Sequence, residues 1–374
     1  MSLERGENRE TGNFPISRDT TVPITSAQLA AGANYQLNSY AKNDPVDQFT
    51  TARPFAQWLI RNKQESVFGN GIFNEKVRIS NNSNYQNYTR DDQVTYNNKD
   101  TVRLAPFQHY EAHDGFAVNE TDMADNGIVL TDDKNAVLTE AEQIQIVNRL
   151  KENYATLKDG FQQNWDLEIH KDGSASTKSC PGLDLLVSTT PASASVVGGI
   201  DQSLNPYWQN NASIGINSGT AGLLINTMEQ QWRKCMTYGG MAPDYILVGS
   251  AFLDAYRTNA LSTINRQIIL GSGKNTNVDA SVDTSGGTSG LYFKGVELIW
   301  DPTFDVLDAT TPGWAKRCYF LQSKHMILRP NKGRWLVNRK PDRVYDRYTH
   351  YFGLTADYGL TVKKRNSMAV LSIA

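Results

Sequence analysis

Cysteine is scarce, with only Cys180, Cys235 and Cys318 present, far apart and without a CxxC pair. That excludes a disulfide framework or a zinc ribbon and fits the reduced thiols of a cytoplasmic product. No apolar run approaches the roughly 20 residues that a membrane-spanning helix needs. Met1 to Phe14 is charged and polar, without the apolar stretch of a signal peptide. Neither sign of charge is in excess: 37 Lys plus Arg against 39 Asp plus Glu leaves a formal net charge of −2. A protein that grips nucleic-acid phosphates usually carries a clear basic excess or tail. Any DNA contact is therefore expected to be weak, local and independent of base sequence.

Motifs of catalysis and cofactor binding are also lacking. His109 and His113 flank Glu111 (HYEAH), but a zinc-protease helix has its glutamate directly after the first histidine. The stretch also follows Pro106 in a region of strand character, where the geometry of that helix does not arise. Gly271-Ser272-Gly273-Lys274-Asn275 lacks the Ser or Thr that follows the lysine of a phosphate loop, and it opens no helix. There is no Gly-x-Ser-x-Gly elbow. The basic run Lys363-Lys364-Arg365 reads as a solvated turn. No catalytic, cofactor-binding or metal site is expected, and no enzymatic activity.

What is present is enough apolar sequence for a substantial core, 39% of 374 residues, arranged very unevenly. Residues 1–52 read as an arm: they lack periodicity, are punctuated by Pro15, Pro23 and Pro45, and cannot fold alone. Arg53 to Asn62 reads as a short amphipathic helix with Phe55, Trp58 and Leu59 on one side. From Glu75 to Asn126, brief alternations (Val77/Ile79, Val94/Tyr96, Val102/Leu104) are separated by Asn-rich turns, the pattern of a long, thin β-hairpin. A two-stranded hairpin is marginal alone, and no large apolar set nearby would cover it.

The clearest signal follows. Thr139 and Glu142 form a capping box, and Ala141, Ile144, Val147, Leu150, Tyr154, Leu157, Phe161 and Trp165 recur at steps of three and four. That predicts a helix from about Glu140 to Glu168, closed by Gly173. After Cys180-Pro181-Gly182 the texture is mixed: helices over Gly219–Tyr238 and Ser250–Thr258, with strands at Tyr245–Val248, Val296–Trp300 and Tyr319–Leu321. A Gly/Ser/Asn-rich loop is expected over Gly271–Gly290. Phe352, Leu354, Ala356, Tyr358, Leu360 and Val362 alternate as a strand, and Met368–Ile373 reads as another.

This order of arm, hairpin, long helix, α/β body and terminal strands resembles the major capsid proteins of tailed bacteriophages with the Hong Kong 97-like fold. Three local segments carry the resemblance: Val196 to Asn210 (VVGGIDQSLNPYWQN), Gly239 to Leu247 (GGMAPDYIL), and Phe293 to Leu321 with its Phe-Lys-Gly, Asp301-Pro302 and Tyr-Phe-Leu succession. The resemblance implies an α+β capsid fold with an N-terminal arm (1–52) and an extended loop (75–126) reaching over a neighbour. It implies a peripheral domain holding the spine helix (53–74 and 127–181) with C-terminal strands (323–374), and an α/β axial domain (182–322). The implied function is self-assembly through hexamers and pentamers into an icosahedral head shell around double-stranded DNA, in a virion assembled in the host bacterial cytoplasm. Implied partners are a portal protein, a separate scaffolding protein and, as an optional addition, a decoration protein, with no membrane and no cofactor. Some relatives cross-link loop lysines to a neighbour's asparagines; no motif singles out Lys76, Lys99 or Asn366 for this. The alternative is an encapsulin-like nanocompartment shell of the same fold.

Overall fold

The computed structural model describes residues 51–67, 71–80, 83–99, 101–119, 121, 140–239, 241–263, 288–340 and 349–374. The expected arm, the Thr139 cap and most of the Gly271–Gly290 loop lie outside these residues. Helix α1 (Pro54–Arg61) begins with proline in its first turn, where a missing N–H costs nothing. It buries Phe55 and Leu59, as the amphipathic pattern predicts, together with Ala56, and leaves Trp58 half-buried. Strands β1 (Ile72–Arg78) and β2 (Val102–Gln108) form an antiparallel pair in register from Ile72↔Gln108 to Arg78↔Val102. Strand β3 (Tyr110–Asn119) follows after one residue.

Helix α2 (Glu140–His170) has 31 residues, roughly 46 Å at 1.5 Å per residue. Leu157, Phe161, Trp165 and Ile169, each one turn beyond the last, are buried along one face. The Trp165 ring meets Trp335 and Tyr358 edge-on, at 5.4 and 5.9 Å between centroids. A short helix, α3 (Leu183–Leu186), and a two-stranded ribbon, β4 (Val196–Val197) with β5 (Ile200–Asp201), precede β6 (Asn211–Ile216). Then come α4 (Leu223–Gly239), β7 (Tyr245–Val248), α5 (Ser250–Thr263), β8 (Thr288–Phe293), β9 (Val296–Trp300), α6 (Pro302–Thr310) and β10 (Arg317–Leu321). The chain continues through β11 (Met326–Pro330), β12 (Val337–Arg339), β13 (Thr349–Val362) and β14 (Ala369–Ile373).

One sheet has six strands in the order β6-β14-β10-β7-β9-β8. Its centre is apolar without interruption because both faces are covered. Strand alternation sorts the side chains into two cores. Tyr245, Leu247, Tyr319, Leu321 and Val370 join the core that includes α2, while Ile246, Val248, Cys318, Phe320, Ala369 and Leu371 join Met228, Trp232 and Phe252 on the other face. A four-stranded sheet pairs β13 with β11 and β12 along part of its length and with β3 along its other edge.

Three expectations need correction. Pairing of the hairpin begins at Ile72, before the expected Glu75. Tyr110–Asn119 leaves the hairpin and pairs with β13 from Tyr110↔Tyr358 to Asn119↔Thr349, because its half-buried face meets the sheet. The Val94/Tyr96 run forms no strand, its polar neighbours bonding to one another instead of completing a ladder. The strands of residues 323–374 fall in two different sheets. Ala369–Ile373 lies in the six-stranded sheet, parallel to β6 and antiparallel to β10, since Ala369, Val370 and Leu371 need cover on both faces.

Candidate assembly interface

The root of the β1–β2 hairpin is held by charge as well as packing. Glu75 and Arg329 are both buried, and Arg329 donates from Nε (3.1 Å) and Nη2 (2.6 Å) to Glu75 Oε1. The same guanidinium donates to Thr361 Oγ1 and Ser66 Oγ and lies 4.0 Å from the Phe73 ring centroid. Fully bonded in this way, the pair fixes the direction in which the hairpin leaves the β11–β13 sheet. Phe107 and Pro106 of β2 rest on the turn between β4 and β5. A Cβ on Gly198 would come within 2.9 Å of Phe107, and one on Gly199 within 2.9 Å of Pro106. Both glycines also have positive φ, so this turn needs them for conformation and for close approach.

Beyond the root, the described residues of the hairpin become exposed. Val77, Ala105 and Phe107 face the core, but the register sets Val77 opposite Arg103, so Val102 and Leu104 point outward on the other face. Ile79 N–H donates to Thr101 O at 2.9 Å, and past it residues 83–99 are held by side chains. Asn84 Nδ2 donates to the oxygens of Thr95, and Thr95 Oγ1 to Gln86 Oε1. Asp92 closes a turn by accepting from the N–H and hydroxyl of Thr89, and those bonds hold its carboxyl below the usual range. Tyr85 and Tyr96 are 86% and 90% exposed, and Tyr88, Val102 and Leu104 are exposed as well. Phenol rings and aliphatic side chains exposed together along one ribbon form a candidate contact surface.

Arg365, expected in a solvated turn, is fully buried. Its guanidinium donates to the carbonyls of Leu185, Leu186 and Trp208, to Gln202 Oε1 and to Asn210 Oδ1, at 2.8–3.2 Å. Among the described residues no carboxylate pairs with it, and burial pulls its pKa down to about 9. It thus ties α3 and the segment after β5 to the β13–β14 connection. Lys363 and Lys364 beside it are partly exposed.

A second buried charge group lies where α2 meets α6. His170 Nε2 is 3.0 Å from Asp301 Oδ2, and its Nδ1 lies 2.6 Å from the Asp166 carbonyl. Burial alone would lower the imidazole pKa, but Asp301 and Asp166 outweigh it and hold the ring protonated, with a pKa of about 9. Burial raises the Asp166 carboxyl. Asp301 also caps α6 by accepting from Thr303 N–H, while Thr303 Oγ1 donates to Asp166 Oδ2. The rings of Phe55 and Phe304 close over the histidine.

Of the residues considered for chemistry, Glu111 and His113 lie on the exposed face of β3, and His109 precedes that strand, half-buried. Lys76 and Lys99 are exposed on the hairpin, whereas Asn366 is half-buried, with its carbonyl bonded to Asn211. Burial raises the thiols of Cys180 and Cys235 to about 12 and that of Cys318 well above its ordinary value, which leaves them unreactive. No helix among the described residues is long and apolar enough to cross a membrane. Arg329, Tyr85 and Tyr88 were not singled out by the sequence, and Glu75 and Tyr96 were noted only as parts of the hairpin pattern. The available signal was the odd acidic residue within the Phe73/Val77 alternation.

No family model and no curated protein matches this chain. Solved structures do match. A chain of the Cyanophage A-1(L) capsid asymmetric unit aligns with a TM-score of 0.60 at 15% identity, over 91% of this chain and 98% of that one. A chain from Mycobacterium phage Bobi aligns at 0.52 and 10% identity, over 94% and 99%. The capsid of a native GTA particle aligns at 0.50 and 12% identity, over 94% and 99%. At such identities the likeness shows the fold, and that fold is the Hong Kong 97-like one.

Proposed function

We propose that this chain, which has the Hong Kong 97-like fold, is a major capsid protein that assembles through hexamers and pentamers into an icosahedral head shell around double-stranded DNA. The observation that carries the reading is the hairpin: rooted by a buried ion pair, it carries Tyr85, Tyr88 and Tyr96, which are exposed among the described residues. Exchange of such elements between copies gives large interfaces without a binding pocket. In this reading α1, α2 and the β11–β13 sheet form the peripheral domain, and the six-stranded sheet with its helices forms the axial domain. The near-neutral net charge of −2 supports a shell that contains DNA driven in by a motor instead of gathering it electrostatically. Portal, separate scaffolding protein and virion location follow from the same reading.

The test is negative-stain microscopy of the full chain co-expressed with its scaffolding protein, beside a variant lacking residues 79–101. The full chain should give closed shells, and the deletion variant should give folded, soluble subunits without shells. Normal shells from the deletion variant, or only small oligomers from the full chain under several conditions, would overturn the proposal. Shells that fill with an enzyme cargo and never with DNA would assign the nanocompartment alternative.

A further inference from the structure

We infer that Lys324, Lys363 and Lys364 form a contact patch for the phosphodiester backbone of double-stranded DNA, an inference that rests on the DNA-enclosing reading above for its choice of partner. The three lysines come from two segments that the fold joins. Lys324 lies in the turn between β10 and β11, which is closed by the N–H groups of His325 and Met326, both donating to Gln322 O at 3.0 and 3.1 Å. Lys363 and Lys364 follow β13, whose last residue, Val362, pairs with Met326. Lys363 N–H donates to His325 O at 2.9 Å, so the two segments lie against each other. The buried Arg365 clamp fixes the chain at the next position. The lysines are thus carried by hydrogen-bonded backbone.

The charge at this junction is one-sided. Lys324 is exposed, and Lys363 and Lys364 are half-buried. Neither Lys324 nor Lys363 forms an ion pair with any described residue. The Lys324 ammonium lies 3.7 Å from Met241 Sδ, a weak acceptor. The nearby carboxylate, Asp244, is turned to Ser323, accepting from its N–H at 2.9 Å and from its hydroxyl. His325 registers the resulting field. Its pKa is lowered first by burial and then by the charges of Lys364, Lys363 and Lys324, which Asp244 only partly offsets. In a chain of net charge −2, three ammonium groups close enough to act on one imidazole mark a local positive potential.

The chemistry favours phosphates over the carboxylates of a protein surface. Protein interfaces are anchored by aromatic side chains and by arginines, whose planar fork matches a carboxylate. Here the one arginine of the run, Arg365, is turned inward and fully buried. The patch offers hydrated point charges on flexible stems. Such groups neutralise backbone phosphates without reading base edges, which suits a partner contacted along its length and without sequence preference. With three cations the contact is weak and salt-sensitive, in keeping with a chain of near-neutral net charge.

The test uses the full chain as unassembled subunits, titrated into a fluorescently labelled short DNA duplex at low ionic strength and followed by anisotropy. Affinity should fall with salt at a log–log slope of about −3, roughly one unit for each lysine on a phosphate. Duplexes of unrelated sequence should bind alike. Lys324→Gln/Lys363→Gln/Lys364→Gln should weaken binding about tenfold or more and bring the slope near zero. Lys151→Gln/Lys158→Gln/Lys178→Gln removes the same charge from other exposed side chains and should bind as the parent chain does. A second readout stays within the parent chain. The His325 imidazole resonance, identified by its loss in His325→Gln, should titrate at higher pH when DNA is bound, because phosphates favour the imidazolium. An unmoved His325 titration or equal loss in the two triple variants would overturn the patch. Displacement of DNA by polyglutamate at matched charge would also overturn it, by assigning the patch to an acidic protein. These readouts need no shells, so their failure leaves the capsid reading standing, and a failure to form shells leaves them unaffected.

Discussion

Replacing Arg365 separates two pictures of the same basic run. On the surface, Arg365→Ala would change stability by no more than about 0.5 kcal/mol. Buried, the guanidinium serves five acceptors, three of them backbone carbonyls. Each carbonyl left unpaired costs about 1–3 kcal/mol. Against this, removal relieves the cost of burying the charge, the effect that pulls its pKa down to about 9. The two terms partly cancel, and a net loss on the order of 2 kcal/mol or more is expected for Arg365→Ala, well above the surface value. Arg365→Lys keeps a charge and three donors but not the planar fork, so it should lose about half as much. Urea unfolding at neutral pH, followed by both fluorescence and circular dichroism, measures the shift. A loss below about 1 kcal/mol for the alanine variant would refute the buried-clamp reasoning.

Trp165→Ala removes an indole packed against Trp335 and Tyr358 in the α2 core and should cost about 3–5 kcal/mol in the same assay. A cost near zero would mean the helix face is drawn wrongly. His170 gives a pH signature. Its folded pKa of about 9 lies above the ordinary 6.5, so its contribution is fully present below about pH 6.5 and is lost as pH rises through 9. Asp166, raised by burial, acts in the same direction. Between pH 6 and 9.5 the group should lose on the order of 3 kcal/mol, and His170→Asn should flatten that part of the profile. An unchanged slope in the variant would sink the assignment.

The elements readable in the sequence are those with local periodicity. Leu157, Phe161 and Trp165 recur at helical spacing and are buried where that spacing puts them, and Tyr245–Val248 has the length and apolar texture of the strand it forms. The partner of a strand is a different matter. Nothing near Met368 says that Ala369–Ile373 pairs with β6, because the complementary surface is made by distant residues. Arg365 was misread for a related reason. A basic run looks solvated until loops from elsewhere in the chain aim carbonyls at one of its members. In the candidate interface, the Val102/Leu104 alternation was visible, but which face turned outward depended on a register set by the hairpin root.

The position of β14 has a kinetic consequence. It fills the slot between β6 and β10, and the side chain of Asn211 reaches Asn366, 155 residues away in sequence, to hold that junction. Pairings so distant in the chain form slowly, because a large loop must close before any contact rewards it. On a ribosome adding roughly 5–20 residues per second, the hairpin leaves the exit tunnel well before the strand that completes the six-stranded sheet. Translation order therefore works as a delay, setting a gap between the appearance of the exposed hairpin and the completion of the six-stranded sheet.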